Sequence, residues 1–306
     1  MVASRVTIVR APNPSPMTLS GTNTYLIDCG EALICIDPGP AMEEHVAAIL
    51  AEAQGTRIAA ICVTHGHPDH AQAASVLSAK THAPIYGHRF ARYARDRVLA
   101  EGEAVAVGDV QLESIEAPGH AADHLAFYER GENALFTGDT VLGSGFVVVA
   151  PPGGDMRAYQ RTLKRLLEEY PQARTIYGGH GDPVNDPRAK LREYIAHRRA
   201  RESQIIDRLR HGAQTIPQLI AAIYQETDPV LWPVAARQVL AHLLALEAEG
   251  KVRSRELARP MTASEAALLD PDWEPIVGQQ EAETAKEEIG ASLRLSALRE
   301  YELVSA

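Results

Sequence analysis

Through the first 185 residues, short apolar runs alternate with longer amphipathic stretches. The runs Val6–Val9, Thr24–Asp28, Ala32–Asp37, Ile58–Val63, Val110–Glu116, Leu125–Tyr128, Ala134–Thr137 and Thr175–Tyr177 are β-branched or apolar and are bounded by Gly, Pro, Asn or Asp, which predicts strands. Helices are predicted over Met42–Ala53, Asp69–Ala79, Arg89–Leu99 and Arg157–Tyr170; in the last, Tyr159, Leu163, Leu166 and Leu167 recur at helical spacing. Two Pro/Gly-rich loops interrupt the pattern, Ala11–Gly21 and Gly143–Asp155. Loops of that length in a compact domain are usually either functional or mobile.

After Asp186-Pro187 the pattern becomes helical. A long charged helix is predicted over Arg188–Arg210, a second over Ile216–Tyr224 behind the capping-box spacing of Thr215 and Gln218, and a third over Leu231–Glu249, closed by Gly250. A short hairpin around Val252 would complete a winged-helix-like module. The expected organisation is a catalytic α/β unit at 1–185, a winged-helix-like unit at 186–260 and an acidic extension at 261–306 that the pattern does not place.

Composition narrows the class. The chain has 306 residues, 45% hydrophobic and 23% charged, which suits a soluble globular protein and excludes a disordered chain, a collagen or a coiled-coil rod. No uninterrupted apolar run reaches the ~18–20 residues of a membrane span, so no membrane association is expected. The N-terminus lacks the apolar core of a secretory signal, so the expected location is cytoplasmic. A net charge of −10 argues against a protein built to coat nucleic acid. Residues 186–260, with 13 Lys/Arg against 9 Asp/Glu, are the one mildly basic segment. Cys29, Cys35 and Cys62 are odd in number and lack C-x-x-C spacing, so neither a disulfide framework nor a cysteine zinc site is expected.

The chemistry is concentrated in Thr64-His65-Gly66-His67-Pro68-Asp69-His70, directly after an apolar strand. Imidazoles and a carboxylate at this density are ligands for borderline divalent metals, zinc first. Three further strand ends carry one His or Asp beside glycine: Ala117-Pro118-Gly119-His120, Thr137-Gly138-Asp139-Thr140 and Tyr177-Gly178-Gly179-His180-Gly181. Singly each reads as a turn. Together they supply enough ligands for two metal shells.

As a set and in order, these segments resemble the motifs of the metallo-β-lactamase-fold hydrolases, over residues 1 to about 185. The resemblance implies an αββα sandwich with the site at one edge of its two sheets. It implies His65, His67 and His120 as ligands of one metal, Asp69, His70 and His180 as ligands of a second, and Asp139 as the bridging carboxylate. Asp69 and Asp139 are thereby the candidate catalytic residues. The cofactors implied are two divalent ions, Zn2+ first, with Mn2+ or Fe also accepted by such ligands. A closer similarity, to the β-lactamase-like protein 2 (endoribonuclease) subfamily, rests on Asn13–Leu26, Pro118–His124, Asp139–Gly143 and Tyr194-Ile195-Ala196-His197-Arg198, and it extends to a small winged-helix-like C-terminal domain.

The expected function is therefore a dinuclear-metal-dependent hydrolase that uses a bridging hydroxide. The resemblance favours an endoribonuclease-like phosphodiesterase acting on single-stranded RNA. A thioesterase or lactonase acting on a small acyl substrate is the alternative, favoured by the acidic catalytic unit and by a rim of Met17, Tyr25, Phe146, Val147 and Val148. The family's true lactamases generally lack the bridging Asp, so Asp139 tilts the expectation away from antibiotic hydrolysis. His124 and Asp123 are candidates for orienting His120, with a solvent-facing His124 equally open. Asn23, Met17, Tyr25 and Phe146 are candidate substrate or supporting contacts. A nucleic-acid-binding regulator is a reading of another class; it would need Arg237 and Gln238 to face a groove. A homo-oligomer is compatible with all of these.

Overall fold

The computed structural model describes residues 5–277 and 293–304, together with 282, 283 and 286. Two sheets lie face to face. The first comprises β1 (Val6–Arg10), β2 (Asn23–Asp28), β3 (Ala32–Ile36), β4 (Arg57–Cys62), β5 (Ile85–His88) and β6 (Arg97–Leu99), in that order. The second runs β11 (Thr175–Gly178), β10 (Ala134–Gly138), β9 (Leu125–Glu129), β8 (Val110–Glu116) and β7 (Ala104–Val107). Alternation along the strands decides what each face meets. Tyr25, Ile27, Ile34 and Ile36 join Phe127 and Phe136 of the other sheet in the central core. Leu26, Leu33 and Cys35 point outward to Val46, Ile49 and Leu77 of helices α1 (Glu43–Glu52) and α3 (Ala74–Thr81). On the far side Ala126, Tyr128 and Leu135 meet Tyr159, Leu163, Leu166, Leu191 and Tyr194 of α4 (Met156–Glu169) and α5 (Pro187–Leu209). The result is the αββα sandwich.

Tertiary pairing overrides local pattern in three places. Arg89–Leu99 is not a helix: it is an irregular loop that ends in β6, which pairs in parallel with β5. Arg95 closes the loop by donating to the carbonyls of Ala91 and Arg89, and Asp96 locks it to Ile85. The helix predicted over Asp69–Ala79 divides into α2 (Pro68–Ala71) and α3, with a turn between them. The strand beginning at Val252, β13 (Val252–Glu256), has no local hairpin partner; it pairs with β14 (Arg299–Leu303), from the acidic segment that the sequence pattern does not place.

The described residues of that acidic segment are integral to the C-terminal core. Leu219, Ile220, Leu240 and Leu243 of helices α6 (Ile216–Ile223) and α7 (Trp232–Ala248) pack with Trp273, Leu295 and Tyr301. Another face of α7, through Ala241 and Ala245, joins the core that holds α4 and α5. Being buried on two faces explains why Pro229–Ala248 is apolar and long enough, by composition alone, to cross a bilayer. Arg237 interrupts the run, which is why a search for unbroken apolar stretches passes over it. The burial also withdraws the groove-facing candidates: Arg237 and Gln238 are 5% and 7% exposed, and Gln238 accepts a hydrogen bond from the Val149 amide.

His45 on α1 ties the outer helix to the inner frame. Thr24 donates its hydroxyl proton to the Asp37 carbonyl, so it accepts from His45 Nε2, 2.9 Å away. The ring is buried with Nδ1 unpartnered, and burial lowers its pKa from 6.5 to about 4. The folded state thus keeps His45 neutral while the unfolded chain takes up a proton below pH 6.5, and stability is lost as pH falls from there toward 4. Between pH 7 and 4 the protein is expected to lose roughly 3 kcal/mol more than a His45→Gln variant, in paired urea titrations.

Candidate metal centre

Five of the seven predicted ligands sit at the carboxyl end of a strand or in the turn that follows, and the other two lie on the short helix after the first such turn. His65 and His67 follow β4, with Asp69 and His70 on α2; His120 follows β8, Asp139 follows β10 and His180 follows β11. Because the two sheets lie against each other, these turns converge at one edge. Glycine makes the convergence possible. A Cβ on Gly179 would lie 2.3 Å from Asp139 Oδ1, and one on Gly138, whose φ is +44°, would lie 2.6 Å from Thr64 Oγ1.

The seven side chains form overlapping groups. His65, His67 and His120 make one, Asp69, His70 and His180 another, and His65, His70 and Asp139 a third; within each, the ligand atoms lie within 4.8 Å of one another. His120 Nε2 is 3.0 Å from His67 Nδ1. Asp139 lies between the groups, with Oδ1 3.4 Å from His70 Nε2 and Oδ2 3.4 Å from His180 Nε2 and 3.8 Å from His120 Nε2. Asp69 Oδ2 is 3.3 Å from His70 Nε2 and 3.4 Å from His180 Nε2, and it accepts a hydrogen bond from the Thr22 hydroxyl.

The outer hydrogen bonds fix which nitrogen of each ring faces inward. Asp37 Oδ1 accepts from the Thr64 amide, and Oδ2 accepts from both the Thr64 hydroxyl and His70 Nδ1. With its proton spent on Asp37, the Thr64 hydroxyl accepts from His65 Nδ1, 3.0 Å away. His120 Nδ1 donates to the Val148 carbonyl at 2.8 Å. The Nε2 lone pairs of His65, His70 and His120 are therefore the ones that face the cluster. His65 Nε2, His70 Nε2 and Asp139 Oδ1 are buried with no hydrogen-bond partner. Orphaned acceptors at this density are costly unless a cation satisfies them, so the donor set fits divalent metal.

The electrostatics agree. Burial, together with neighbouring imidazoles, lowers His65 and holds His67 down to about 3. Burial opposes charge on His70 too, but Asp69, Asp139 and Asp37 outweigh it and raise its pKa. Burial likewise opposes ionisation of Asp139, and His180 and His70 outweigh it, holding the carboxyl well below its usual range. Asp139 held ionised and His65, His67 and His120 held neutral are in the protonation states metal binding requires, while the neighbouring carboxylates favour a proton on His70 and His180, which an incoming cation would displace.

The supporting residues differ in part from expectation. His124 neither faces solvent nor orients His120. It is 1% exposed, stacks on the His65 ring at 4.7 Å and accepts from the Asp139 amide through Nε2. The Leu125 amide bonded to the Thr64 carbonyl holds it there. Asp123 braces the Gly66 backbone rather than His120. Asn23 and Tyr25 are buried and donate to Gly178 and Gly181, bracing the turn that presents His180 as supporting contacts, and neither lines the cavity. Met17 and Phe146 do line a cavity of about 470 Å³ that opens on His67, Asp69, His120, Asp139 and His180. Sequence reasoning missed Asp37 and Thr64. The available signal was an acidic residue ending an apolar strand directly before Pro38-Gly39.

Residues 17–180 match the model of the metallo-beta-lactamase superfamily, and residues 215–259 match that of the beta-lactamase associated winged helix domain. The Beta-lactamase-like protein 2 homolog of Drosophila melanogaster is 32% identical over 274 residues, covering 82% of this chain and 91% of that protein. An atrochrysone carboxyl ACP thioesterase of Aspergillus chevalieri is 36% identical over 221 residues, covering 70% of this chain and 68% of that protein. Among solved structures, a metallo-beta-lactamase family protein from Thermus thermophilus superposes with a TM-score of 0.69 at 24% identity, covering 82% of this chain and 96% of that one. The chain belongs to the metallo-β-lactamase superfamily and carries the associated winged-helix domain. It is a metal-dependent hydrolase.

Asp37→Asn keeps the shape of the carboxylate but removes its charge. It is expected to lower metal affinity about 10- to 100-fold, measured by elemental analysis after dialysis against a graded chelator series.

Proposed function

We propose that the chain is a dinuclear hydrolase that cleaves the acyl bond of a small thioester or ester. His65 Nε2, His67 Nδ1 and His120 Nε2 would hold one divalent ion, Asp69, His70 and His180 the second, with Asp139 shared between them. Zn2+ suits these imidazole and carboxylate ligands, which also accept Mn2+ or Fe. Ions held there supply a water acidified toward neutral pH and a Lewis-acidic pole for the oxygen of the bond being cleaved.

The chain's own residues determine how that chemistry is used. Asp139 sets the separation of the two ligand groups, and its own place is fixed by the bond from its amide to His124. Asp69 is anchored by Thr22 and faces the cavity, where its carboxylate can hold the proton released on attack and return it to the leaving group. Neutral His65, His67 and His120 keep lone pairs available at the floor.

The cavity supports the choice of substrate. At about 470 Å³ it has small-molecule size, and Met17, Leu19, Phe146, Val148, Val234 and Trp273 give it an apolar wall. The thioesterase relative points the same way. One observation favours the phosphodiesterase alternative: Phe146, 37% exposed, stacks on His197 at 3.6 Å and offers a platform on which a base of single-stranded RNA could stack.

A panel of acyl thioesters, lactones, nitrocefin and single-stranded RNA oligonucleotides separates these readings. Turnover is expected on thioesters, abolished by chelator and more than about 100-fold lower in His67→Ala. Turnover on RNA alone would favour the alternative, and activity that survives His67→Ala would contradict both.

A further inference from the structure

The cavity wall supplied by α5 and α7 is electrostatically unlike the rest. Arg198 is 1% exposed, its Nη2 donates to the Val147 carbonyl, and its guanidinium stacks 5.1 Å from the centre of the Tyr159 ring; Nε has no acceptor. Arg201 projects from the next turn of α5, 4.4 Å over the Tyr224 ring, and donates to the neutral amide oxygen of Gln204. Neither arginine forms an ion pair among the described residues. Gln238, 7% exposed, spends its Oε1 on the Val149 amide and leaves Nε2 without an acceptor. All three side chains line the cavity, and its only carboxylates among the described residues are Asp69 and Asp139, which belong to the His/Asp cluster.

A buried guanidinium without a counter-charge is expensive, and a second cation beside it adds to the cost. Two nearby histidines register the field: burial first, then Arg198 and Arg201, hold His197 down to about 4 and His242 to about 3. They remain neutral and offer no counter-charge. Among the described residues, the wall around Arg198, Arg201 and Gln238 therefore presents positive potential and unsatisfied N–H groups with no carboxylate beside them.

We infer that this wall is a subsite for an anionic group, a carboxylate or phosphate, carried by the same small substrate whose acyl bond reaches the His/Asp cluster. Arg201, the more exposed of the pair, makes the direct contact, and Arg198 contributes field from behind the wall. The inference rests on the acyl-hydrolase reading above and adds a specificity to it: the substrate has an apolar middle and an anionic end.

The test uses the metal-loaded protein and three thioesters of equal length, ending in a carboxylate, a phosphate or a methyl-capped carboxylate, together with hydrolysis-resistant amide analogues of each. The anionic thioesters are expected to have KM values at least about tenfold below that of the capped one. Arg201→Gln should erase that difference by raising the KM of the anionic substrates to that of the capped one, and Arg201→Lys should restore most of it. Calorimetric binding of the amides should follow the same order without any turnover. Comparison of the carboxylate and phosphate arms identifies the preferred anion.

Equal KM values for anionic and capped substrates, or an Arg201→Gln loss that is the same for all three, would overturn the subsite. Arg201-dependent binding of the anionic amides with no thioester cleaved would retain the subsite and overturn the acyl-hydrolase reading instead. Arg201-dependent affinity seen only with RNA oligonucleotides would overturn the small-substrate assignment.

Discussion

The site depends on one buried carboxylate that is not among its predicted ligands. Asp37, at the end of β3, accepts from the Thr64 amide, the Thr64 hydroxyl and His70 Nδ1. Those three bonds set the start of the His-rich turn, the ring orientation of His70 and, through the Thr64 hydroxyl, the tautomer of His65. Without the carboxylate, each of these rings could present its protonated nitrogen inward. The strand order of the first sheet makes the arrangement possible, because β3 and β4 are parallel neighbours whose carboxyl ends open at the same edge.

The second constraint is the union of the two cores. Helix α7 belongs to the C-terminal core on one face and to the catalytic unit's outer core on another. Gln238 on that helix holds the Val149 amide, Arg198 on α5 holds the Val147 carbonyl, and His120 donates to the Val148 carbonyl between them. The loop that forms the cavity rim is thus pinned from the winged-helix side and from the His/Asp cluster at once. The winged helix acts here as a wall of the cavity, which accounts for the burial of the side chains a groove reader would need to expose.

Much of this was legible in the sequence. The His and Asp motifs stand next to strands whose apolar, β-branched composition is strong, so both their place at strand ends and their convergence could be anticipated. What escaped was set by long-range contacts. β6 reads as helix because its residues suit one, and only pairing with β5 decides otherwise. β14 lies in an acidic stretch, and its strand character comes from pairing with β12 (Gln214–Thr215) and β13. Tyr25 looked like a rim residue and Asn23 like a substrate or supporting contact because they belong to a recognisable motif, and the side chains of both turn inward to brace the turn carrying His180. Asp37 gave only a weak local sign, since its role comes from side chains far along the chain.

The most direct test of the account is a crystal structure of the metal-loaded protein with anomalous data collected at the metal's absorption edge. Two peaks are expected, one against His65, His67 and His120 and the other against Asp69, His70 and His180, with Asp139 touching both. A single peak, or peaks away from these side chains, would contradict it.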